Sequence, residues 1–573
     1  MLKTSFTLFT KTALICGALF GFTFSVQAQT SVNPVPLHGT QLEISGVQAI
    51  AKGKVKDDVQ FEQAAQLITD NSCITVSSSS GLNCPDKMLQ AIGERFQKTK
   101  APKQLTLIHP IAAGDLYGIG GIEHLAQKGL LDTVIAGSLP SGPSSKPMPN
   151  IWRQIIENEI KAYNLPSGVI FDMHRDAAAF KPGVLTKVGM DTYVDPTQDG
   201  GAMNDSAKSK PVVKRVSFSG DEWLHFSPIS PNVAIIRGSS ADEEGNISFE
   251  LEGGFLGALD QALCVRNLGG TVIAQVKRVV KAGSIKPQDV HVPSHLVDFV
   301  VVDEKQVQTT QTEYDPALSG EVRVPDSTLE IIPLTVEKVI SSRAAQEVQP
   351  GQTANLGFGI SANVPRILHE KGMTYDVTWA IEQGAVGGMP MLGFAFGCAA
   401  NPNAIMRSPD QFTYFQGGGF DVTFLSFMQV DQFGNVNVSK LSARPYLTAG
   451  CGGFIDIVNR AKKIVFCGQF TAGAKFKLSD DSFCLERQGK NRKFVPAVEQ
   501  ITFNGQRALK QGQDVTYVTE RCVLKLKPEG LTIVEVVEGF DLQTDILDEA
   551  DFPLIVADDV LVVPYKDFLE RSN

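Results

Sequence analysis

The chain has 573 residues, of which 43% are hydrophobic and 20% charged, and its formal net charge at pH 7 is −10. Such a length exceeds what one hydrophobic core usually supports, so we expect at least two large domains. The acidic balance argues against a nucleic-acid partner, because bulk nucleic-acid binding depends on clustered Lys and Arg. An anionic small ligand stays possible, since a few local basic groups or helix N-termini can hold phosphates.

The first 28 residues have the pattern of a cleavable export signal. Lys3 and Lys11 precede a short apolar run, and Ala28 completes a small-residue cleavage site before Gln29. The run is shorter than the roughly 20 apolar residues of a spanning helix, and no later segment is long enough. We therefore predict a signal peptide over residues 1–28, no stable membrane span, and a periplasmic or secreted mature protein.

The cysteines and histidines show no metal-binding pattern. The sequence has nine cysteines, one of them (Cys16) inside the predicted signal peptide, and none forms a C-x-x-C or a Cys/His cluster with zinc spacing. We predict no metal site and interpret the remaining cysteines as buried small hydrophobic residues. Disulfides remain possible if the protein is exported.

The chain contains two related halves. Residues 233–249 and 424–438 each read as a strand, a turn and a strand, and both turns have the pattern Asp-x-x-Gly-Asn, at 242–246 and 431–435. Asp, Gly and Asn favour turns, so we interpret the motif itself as structural. Its repetition indicates a divergent duplication.

The beginnings of the two halves also match. A strand enters a small-residue loop at 73–81 and again at 353–361, and a second strand follows at 104–109 and at 376–381. Strands that alternate with small-residue loops and helical patterns predict an open, largely parallel α/β sheet. We therefore predict an α/β fold of two tandem related open domains that share an active-site cleft.

A polar, poorly periodic stretch over residues 305–320 separates the halves and indicates a linker region. The predicted boundaries are a signal peptide at 1–28, an N-terminal domain at 38–304, a linker region at 305–328 and a C-terminal domain at 329–573.

Glu382 is the residue most indicative of chemistry. The apolar run at 377–381 predicts a buried strand, which delivers Glu382 into a loop with three glycines. Ligands of open α/β sheets bind beyond the carboxyl ends of the strands, where this residue is placed like a nucleophile. A strand-end Glu that only accepts loop hydrogen bonds is the alternative. The counterpart in the first half falls near Pro110, which cannot act as a nucleophile, so one half carries the catalyst and the other completes the cleft.

Several motifs in one chain resemble those of a known family. The sequence has Glu-x-Gly-x-x-Gly from Glu382 to Gly387, Gly-Gly-Gly at 417–419 and Gly-Asn-Val-Asn at 434–437. Together they resemble a family I coenzyme A transferase, of the fused single-chain acetate/propionate/3-oxoacid type. The resemblance covers about residues 63 to 564.

The resemblance implies transfer of CoA between a short-chain acyl-CoA and a carboxylic acid of the acetate, propionate or 3-oxoacid class. The implied mechanism is ping-pong, with Glu382 passing through a mixed anhydride and a glutamyl-CoA thioester. Coenzyme A is then a substrate, and we expect no cofactor. The expected partners are an acyl-CoA, a short carboxylic acid and further copies of the chain in a dimer or tetramer.

The resemblance also assigns residues to the CoA and oxyanion sites. These residues are Asn355, Gly357, Phe358, Gly359, Ile360 and Ser361, with Gly453 at a second oxyanion position. The alternative is that the glycines only make tight turns. Ser361 stands where many relatives carry proline, and Ala113 stands where a more polar residue is expected. Both departures concern the specificity for the acceptor acid.

The sequence leaves two alternatives open, one for the function and one for the location. An exported α/β duplication could be a solute-binding protein without catalysis, although such receptors need no nucleophile. The export pattern also conflicts with CoA chemistry, which belongs in the cytoplasm where CoA is made. A cytoplasmic protein whose first segment does not work as a signal is therefore the alternative location.

Overall fold

The computed structural model describes residues 57–141, 147–479 and 481–570. The predicted signal peptide at 1–28 and the start of the predicted N-terminal domain, up to residue 56, lie outside the described residues. All described residues belong to one compact unit. Among them, no helix has both the length and the apolar character needed to cross a membrane.

The first half is built on a seven-stranded sheet in which all neighbouring strands are parallel. Its strands, in spatial order, are Phe299–Val302, Thr271–Val276, Val233–Arg237, Cys73–Val76, Leu105–His109, Leu131–Ala136 and Lys161–Asn164. The interior strand Val233–Arg237 is buried at every position. Parallel sheets are covered on both faces, which explains why such strands are runs of apolar residues without alternation.

The second half is built on a ten-stranded sheet. Its strands, in spatial order, are Ala404–Ile405, Ala385–Val386, Thr378–Ala380, Thr353–Leu356, Val422–Ser426, Lys463–Cys467, Asp514–Val518, Cys522–Lys527, Gly530–Val537 and Ile555–Val563. The five strands from Thr378–Ala380 to Asp514–Val518 are parallel. Antiparallel pairing begins on either side of these five.

Helices connect and cover the strands. In the first half and the linker region they are Asp57–Gln66, Asp86–Thr99, Asn150–Ile156, Ser167–Ala178, Asp205–Lys208, Ala258–Asn267 and Pro316–Ser319. In the second half they are Val336–Ala345, Val364–Glu370, Ser408–Gln416, Phe454–Val458, Gly505–Gln511 and Tyr565–Glu570.

Short strands form small additional sheets. The three-stranded ones contain Val184–Thr186, Val213–Phe218 and Asp221–Phe226, and Ser240–Asp242, Ile247–Ser248 and Arg278–Val280. The two-stranded ones pair Met389–Pro390 with Ala399–Ala400, Gln429–Val430 with Val436–Asn437, Thr471–Ala472 with Asn491–Arg492, and Lys475–Ser479 with Ser482–Arg487.

The two large sheets share one topology, which confirms the predicted fold class. Each half contributes five equivalent strands, taken here in chain order. The second strand lies on one side of the first, and the third, fourth and fifth follow in that order on its other side. The equivalent strands are Cys73–Val76 and Thr353–Leu356, Leu105–His109 and Thr378–Ala380, Val233–Arg237 and Val422–Ser426, Thr271–Val276 and Lys463–Cys467, and Phe299–Val302 and Asp514–Val518.

The repeated Asp-x-x-Gly-Asn turn has the same structural role in both halves. One carboxylate oxygen of Asp242 accepts the backbone N–H of Asn246 at 2.9 Å, and the other accepts its side-chain amide at 2.9 Å. Asp431 receives the same two hydrogen bonds from Asn435, at 3.1 and 3.0 Å. The structural interpretation of this motif is therefore confirmed.

The halves also share part of their hydrophobic core. One apolar cluster contains residues from both, including Phe171 of the first half and Phe412 of the second, whose ring centroids lie 5.7 Å apart. In the predicted linker, Gln308 donates a side-chain hydrogen bond to the Leu251 carbonyl at 2.8 Å, so this stretch packs on the first half. The domain boundaries themselves stay predictions.

The eight described cysteines are free thiols, and six of them are buried. Cys73 is half-buried, and Cys484 is exposed. The prediction of a buried residue is wrong for Cys484, because it lies on the hairpin strand Ser482–Arg487, where alternate side chains face opposite sides. Phe483 takes the inward position there.

Candidate active site

Glu382 lies in a tight turn at the carboxyl end of the strand Thr378–Ala380. The turn is closed by the Ile381 N–H, which donates to the Ala385 carbonyl at 2.9 Å. Gly384 has a φ of +117°, and a Cβ there would lie 2.0 Å from the Met406 carbonyl oxygen. The turn therefore requires glycine at this position for both its backbone conformation and its packing.

The predicted CoA loop, residues 357–361, lies at the same edge of the sheet. The strand Thr353–Leu356 is parallel to the strand before Glu382, and Asn355 is paired with Ala380. Glu382 lies two residues beyond Ala380, and Gly357 lies two residues beyond Asn355, so both are at the same edge of the sheet. On the far side of the loop, the Ser361 N–H lies 3.4 Å from the Ser426 hydroxyl, at the end of the next parallel strand. Three adjacent strand ends thus form this part of the site.

The members of the loop differ in what they offer a ligand. The Gly357 N–H already donates to the Phe424 carbonyl at 2.8 Å. Ser361 is buried, and its hydroxyl donates to the Gly357 carbonyl at 3.1 Å. Ile360 is half-buried, whereas Gly359 is exposed with a φ of +104°. The Phe358 side chain is 67% exposed, so the solvent-facing surface of the loop is formed by Phe358 and Gly359.

The Asn355 side chain lies inside the sheet. It is fully buried, its amide nitrogen donates to the Ala380 carbonyl at 2.9 Å, and its carbonyl oxygen accepts from the Thr423 hydroxyl at 2.9 Å. These bonds join the strand Thr353–Leu356 to its two neighbours, one of which is the strand that precedes Glu382. Its assignment to the CoA and oxyanion site stays a prediction, since in this structure both polar groups of the side chain are engaged within the sheet.

Gly453 lies directly against Glu382. A Cβ at Gly453 would lie 2.1 Å from Oε2 of Glu382 and 2.6 Å from the Phe412 ring. The φ of Gly453 is −86°, which any residue adopts, so the close approach is what requires glycine here. The Gly453 backbone N–H interacts with the carboxylate and favours its charged form. The Gly453 backbone and the Glu382 carboxylate are thus in direct contact, although the two residues are far apart in the sequence.

Burial raises the pKa of Glu382 to about 7, and hydrogen bonds from Gly453 and Gln383 oppose the rise. The side chain is largely enclosed but keeps part of its surface open. Desolvation disfavours the charged form of a carboxylate and also removes the water that would mask it. An accessible, poorly solvated carboxylate is suited to attack an electrophile.

The first half supplies the opposite wall of the site. Ser79 follows the strand Cys73–Val76, and its hydroxyl accepts a hydrogen bond from the Gln383 side chain at 3.1 Å. The Gly452 N–H donates to the Gly137 carbonyl at 2.8 Å, just after the strand Leu131–Ala136. Carboxyl edges of both sheets therefore meet around Glu382, as the prediction of a shared cleft requires.

A buried acidic group near the site escaped the sequence reasoning. Asp456 is fully buried, and its two carboxyl oxygens accept from the Gly168 N–H and from the Gln416 side chain, each at 3.0 Å. Gln416 also donates to Asp172 at 3.1 Å. Burial raises the pKa of Asp456 to about 8 and that of Asp172 to about 6. The sequence signal for this buried group was a single Asp within the apolar stretch 454–458.

The part of the chain that the structure describes contains no candidate metal site. No group of three or more His, Cys, Asp or Glu side chains there is arranged to hold an ion. The absence of a metal from the catalytic site stays a prediction.

Comparison with known proteins places this site in a family. Residues 59–303 match the family model described as Coenzyme A transferase. The chain is 36% identical to acetate CoA-transferase YdiF of Escherichia coli K12 over 514 residues, which are 89% of this chain and 95% of that protein. It is 38% identical to caffeate CoA-transferase of Acetobacterium woodii over 507 residues, 87% of this chain and 95% of that protein.

A solved structure agrees over nearly the whole chain. The crystal structure of the acyl-CoA transferase YdiF of Escherichia coli O157:H7, in a thioester complex with CoA, superposes with a TM-score of 0.81 at 35% identity. The match covers 89% of this chain and 95% of that one. The chain therefore belongs to the family I coenzyme A transferases, and it is an enzyme of that class. These comparisons give no support to a solute-binding protein.

Proposed function

We propose that this transferase moves CoA between a short-chain acyl-CoA and a carboxylic acid of the acetate, propionate or 3-oxoacid class, with Glu382 as the nucleophile. The observation that carries the proposal is the placement of the Glu382 carboxylate. It lies at the meeting edge of the two sheets, enclosed but open to a ligand, with Gly453 against one oxygen. Nucleophilic carboxylates are activated by such positioning and partial desolvation.

In the first half-reaction, a Glu382 oxygen attacks the thioester carbonyl of the acyl-CoA. The C–S bond breaks, the CoA thiolate leaves, and a mixed acyl–glutamyl anhydride forms. The thiolate then attacks the glutamyl carbonyl and displaces the acyl group as a free carboxylate. The product is a glutamyl-CoA thioester on Glu382, and no proton needs to be added or removed.

In the second half-reaction, the acceptor carboxylate attacks the glutamyl thioester and displaces the CoA thiolate. The thiolate then attacks the acyl carbonyl of the new anhydride, which frees Glu382 and releases the new acyl-CoA. The cycle is symmetric, so ping-pong kinetics are expected. The relative whose crystal structure is a thioester complex with CoA supports this route.

Each attack creates an oxyanion, which fixed backbone N–H groups stabilise best. We assign one donor to Gly453, whose N–H already faces the carboxylate that reacts. The second donor belongs to the loop at 357–361. Because the Gly357 N–H is engaged with Phe424, the outward-facing backbone of Phe358 and Gly359 is the part we assign to this role.

A coupled assay of acetyl-CoA against a panel of carboxylates tests this function. The panel contains acetate analogues, propionate, a 3-oxoacid and a cinnamate-type acid, because acetate and caffeate transferases are similarly close relatives. We expect parallel lines in double-reciprocal plots and turnover with at least one short acid. Turnover with none of these acids would contradict the proposed substrate class.

The cofactor requirement, the oligomeric state and the location of the protein are also part of the proposal. We propose that CoA serves as substrate and that no separate cofactor is needed. We propose a homo-oligomer, a dimer or tetramer, which light scattering coupled to gel filtration tests. We also propose a periplasmic or secreted mature protein that starts at Gln29, on the pattern of residues 1–28. N-terminal sequencing of the fractionated native protein decides this, and an intact start in the cytoplasmic fraction would support the alternative.

A further inference from the structure

Gln383 follows Glu382 in the catalytic turn, at a position that the Glu-x-Gly-x-x-Gly pattern leaves variable. Its side chain is 3% exposed and lies between the two halves. The amide nitrogen is 3.4 Å from Oε1 of Glu382 and 3.1 Å from the Ser79 hydroxyl. One amide group therefore contacts both the proposed nucleophile and a loop of the other half.

The surroundings leave this side chain little freedom. A Cβ on Gly397 would lie 2.7 Å from Cγ and Cδ of Gln383, so the Gly397 backbone packs directly on the side chain. A Cβ on Gly254, in the first half, would lie 3.1 Å from the Gln383 carbonyl oxygen. Ser79 is itself fixed, because its N–H and carbonyl exchange hydrogen bonds with Leu82 at 2.9 Å each. Packing and a rigid anchor thus set the position of the amide.

The other end of the same amide is unsatisfied. Oε1 of Gln383 is buried and has no hydrogen-bond partner among the described residues. An unpaired buried acceptor typically costs about 1–3 kcal/mol, so stability alone does not explain an amide at this position.

We propose that Gln383 is a positioning residue for the nucleophile. Its amide nitrogen, anchored by Ser79, holds the Glu382 carboxylate for attack. The proposal rests on the proposed function of Glu382. It explains why a polar residue occupies a tightly packed position that the motif does not specify.

Gln383→Glu separates the positioning role from a purely structural one, because it keeps the shape and the oxygen but replaces the donor nitrogen. A second carboxyl group beside Glu382 disfavours its ionisation. We expect the acid limb of the kcat/KM profile for acetyl-CoA to move up by about one pH unit or more, as a coupled pair. Gln349→Glu is the matched control, since Gln349 is exposed at the opposite end of the strand Thr353–Leu356.

Other titratable groups that interact with the Glu382 charge do not produce this shift. They are Asp456 and Cys451, both on the Gly453 side of the carboxylate. Burial raises the pKa of Asp456 to about 8, and it also raises the pKa of the Cys451 thiol well above its usual range. Both are therefore mainly neutral at pH 7, where Glu382 titrates. An acid limb that stays in place in soluble, folded Gln383→Glu would overturn the proposal.

Gln383→Met removes the donor nitrogen and keeps the chain length. We expect kcat/KM for acetyl-CoA to fall about 10- to 100-fold, the range for losing a hydrogen bond to a charged group. A value within threefold of the wild type in soluble, folded protein would overturn the positioning role.

A double-mutant cycle provides a measurement that tolerates a modest loss of stability. Ser79→Ala should reduce kcat/KM in the wild type but have little further effect in Gln383→Met, because both residues act on one carboxylate. Additive losses would contradict the anchoring role. The CoA adduct on wild-type Glu382 reports the proposed function separately, so its presence together with unaffected variants would refute only this inference.

Discussion

Gly453→Ala is the substitution whose effect the structure predicts most directly. The new Cβ would lie 2.1 Å from Oε2 of Glu382, whereas ordinary contacts begin near 3.4 Å. The same Cβ would lie 2.6 and 2.8 Å from Phe412, which is buried and packs against Phe171 and Phe415. The ring cannot retreat easily, so the carboxylate must move by roughly 1 Å. A misplacement of about 1 Å at a reacting group costs about 100-fold in rate.

The backbone itself accepts alanine at this position, because the φ of Gly453 is −86°. Gly452→Ala is the matched control: its φ is +52°, but a Cβ there would meet no atom within 4 Å. We expect Gly453→Ala to fold and to lose about 100-fold in kcat. We expect Gly452→Ala to lose about 1 kcal/mol of stability with its kcat nearly unchanged. Steady-state assays with thermal unfolding measure both, and a kcat for Gly453→Ala within threefold of wild type would refute the steric argument.

Three further results are expected. The kcat/KM for acetyl-CoA should fall below about pH 7, because burial raises the pKa of Glu382 to about 7 and the nucleophile must be ionised; a profile that is flat from pH 6 to 8 would contradict this. The free energy of unfolding should decrease between about pH 4 and 8 more in the wild type than in Asp456→Asn, because folded Asp456 holds its proton up to about pH 8, and denaturant titrations at several pH values measure the difference. Phe358→Ala should raise the KM for acetyl-CoA about tenfold with little change in the melting temperature, since the ring is largely exposed and packs edge-to-face on Phe396; an unchanged KM would remove it from the CoA site.

Local patterns were sufficient to predict the sheets and the place of Glu382. The apolar runs before Ser77 and before Glu382 are strands because burial on both faces leaves no polar alternation. Because the second half repeats the first, the same open, largely parallel sheet was expected in both halves, but the order of the strands was not predicted. The repeated Asp-x-x-Gly-Asn turn was correctly interpreted as structural, since its hydrogen bonds stay within the turn.

Long-range contacts within the site could not be predicted from local sequence patterns. The family resemblance assigned Gly453 to an oxyanion position, but its contact with Glu382 was not predicted, because nothing local indicates which glycine faces which carboxylate. Gln383 and Asp456 were missed for the same reason, since their roles depend on partners in the other half. Asn355 shows the opposite case: its position was expected at the site, but its side chain is directed between strands rather than into the cleft.

The central claim is that Glu382 becomes covalently attached to CoA, and mass spectrometry tests it most directly. The enzyme is incubated with acetyl-CoA alone, without an acceptor acid, then digested, and the peptide that contains Glu382 is weighed. We predict a mass increase corresponding to CoA as a thioester on Glu382 in the wild type, no adduct in Glu382→Ala and little in Glu382→Asp, whose shorter side chain misplaces the attacking oxygen. Full transferase activity of Glu382→Ala, or a CoA adduct on a different residue, would contradict the account.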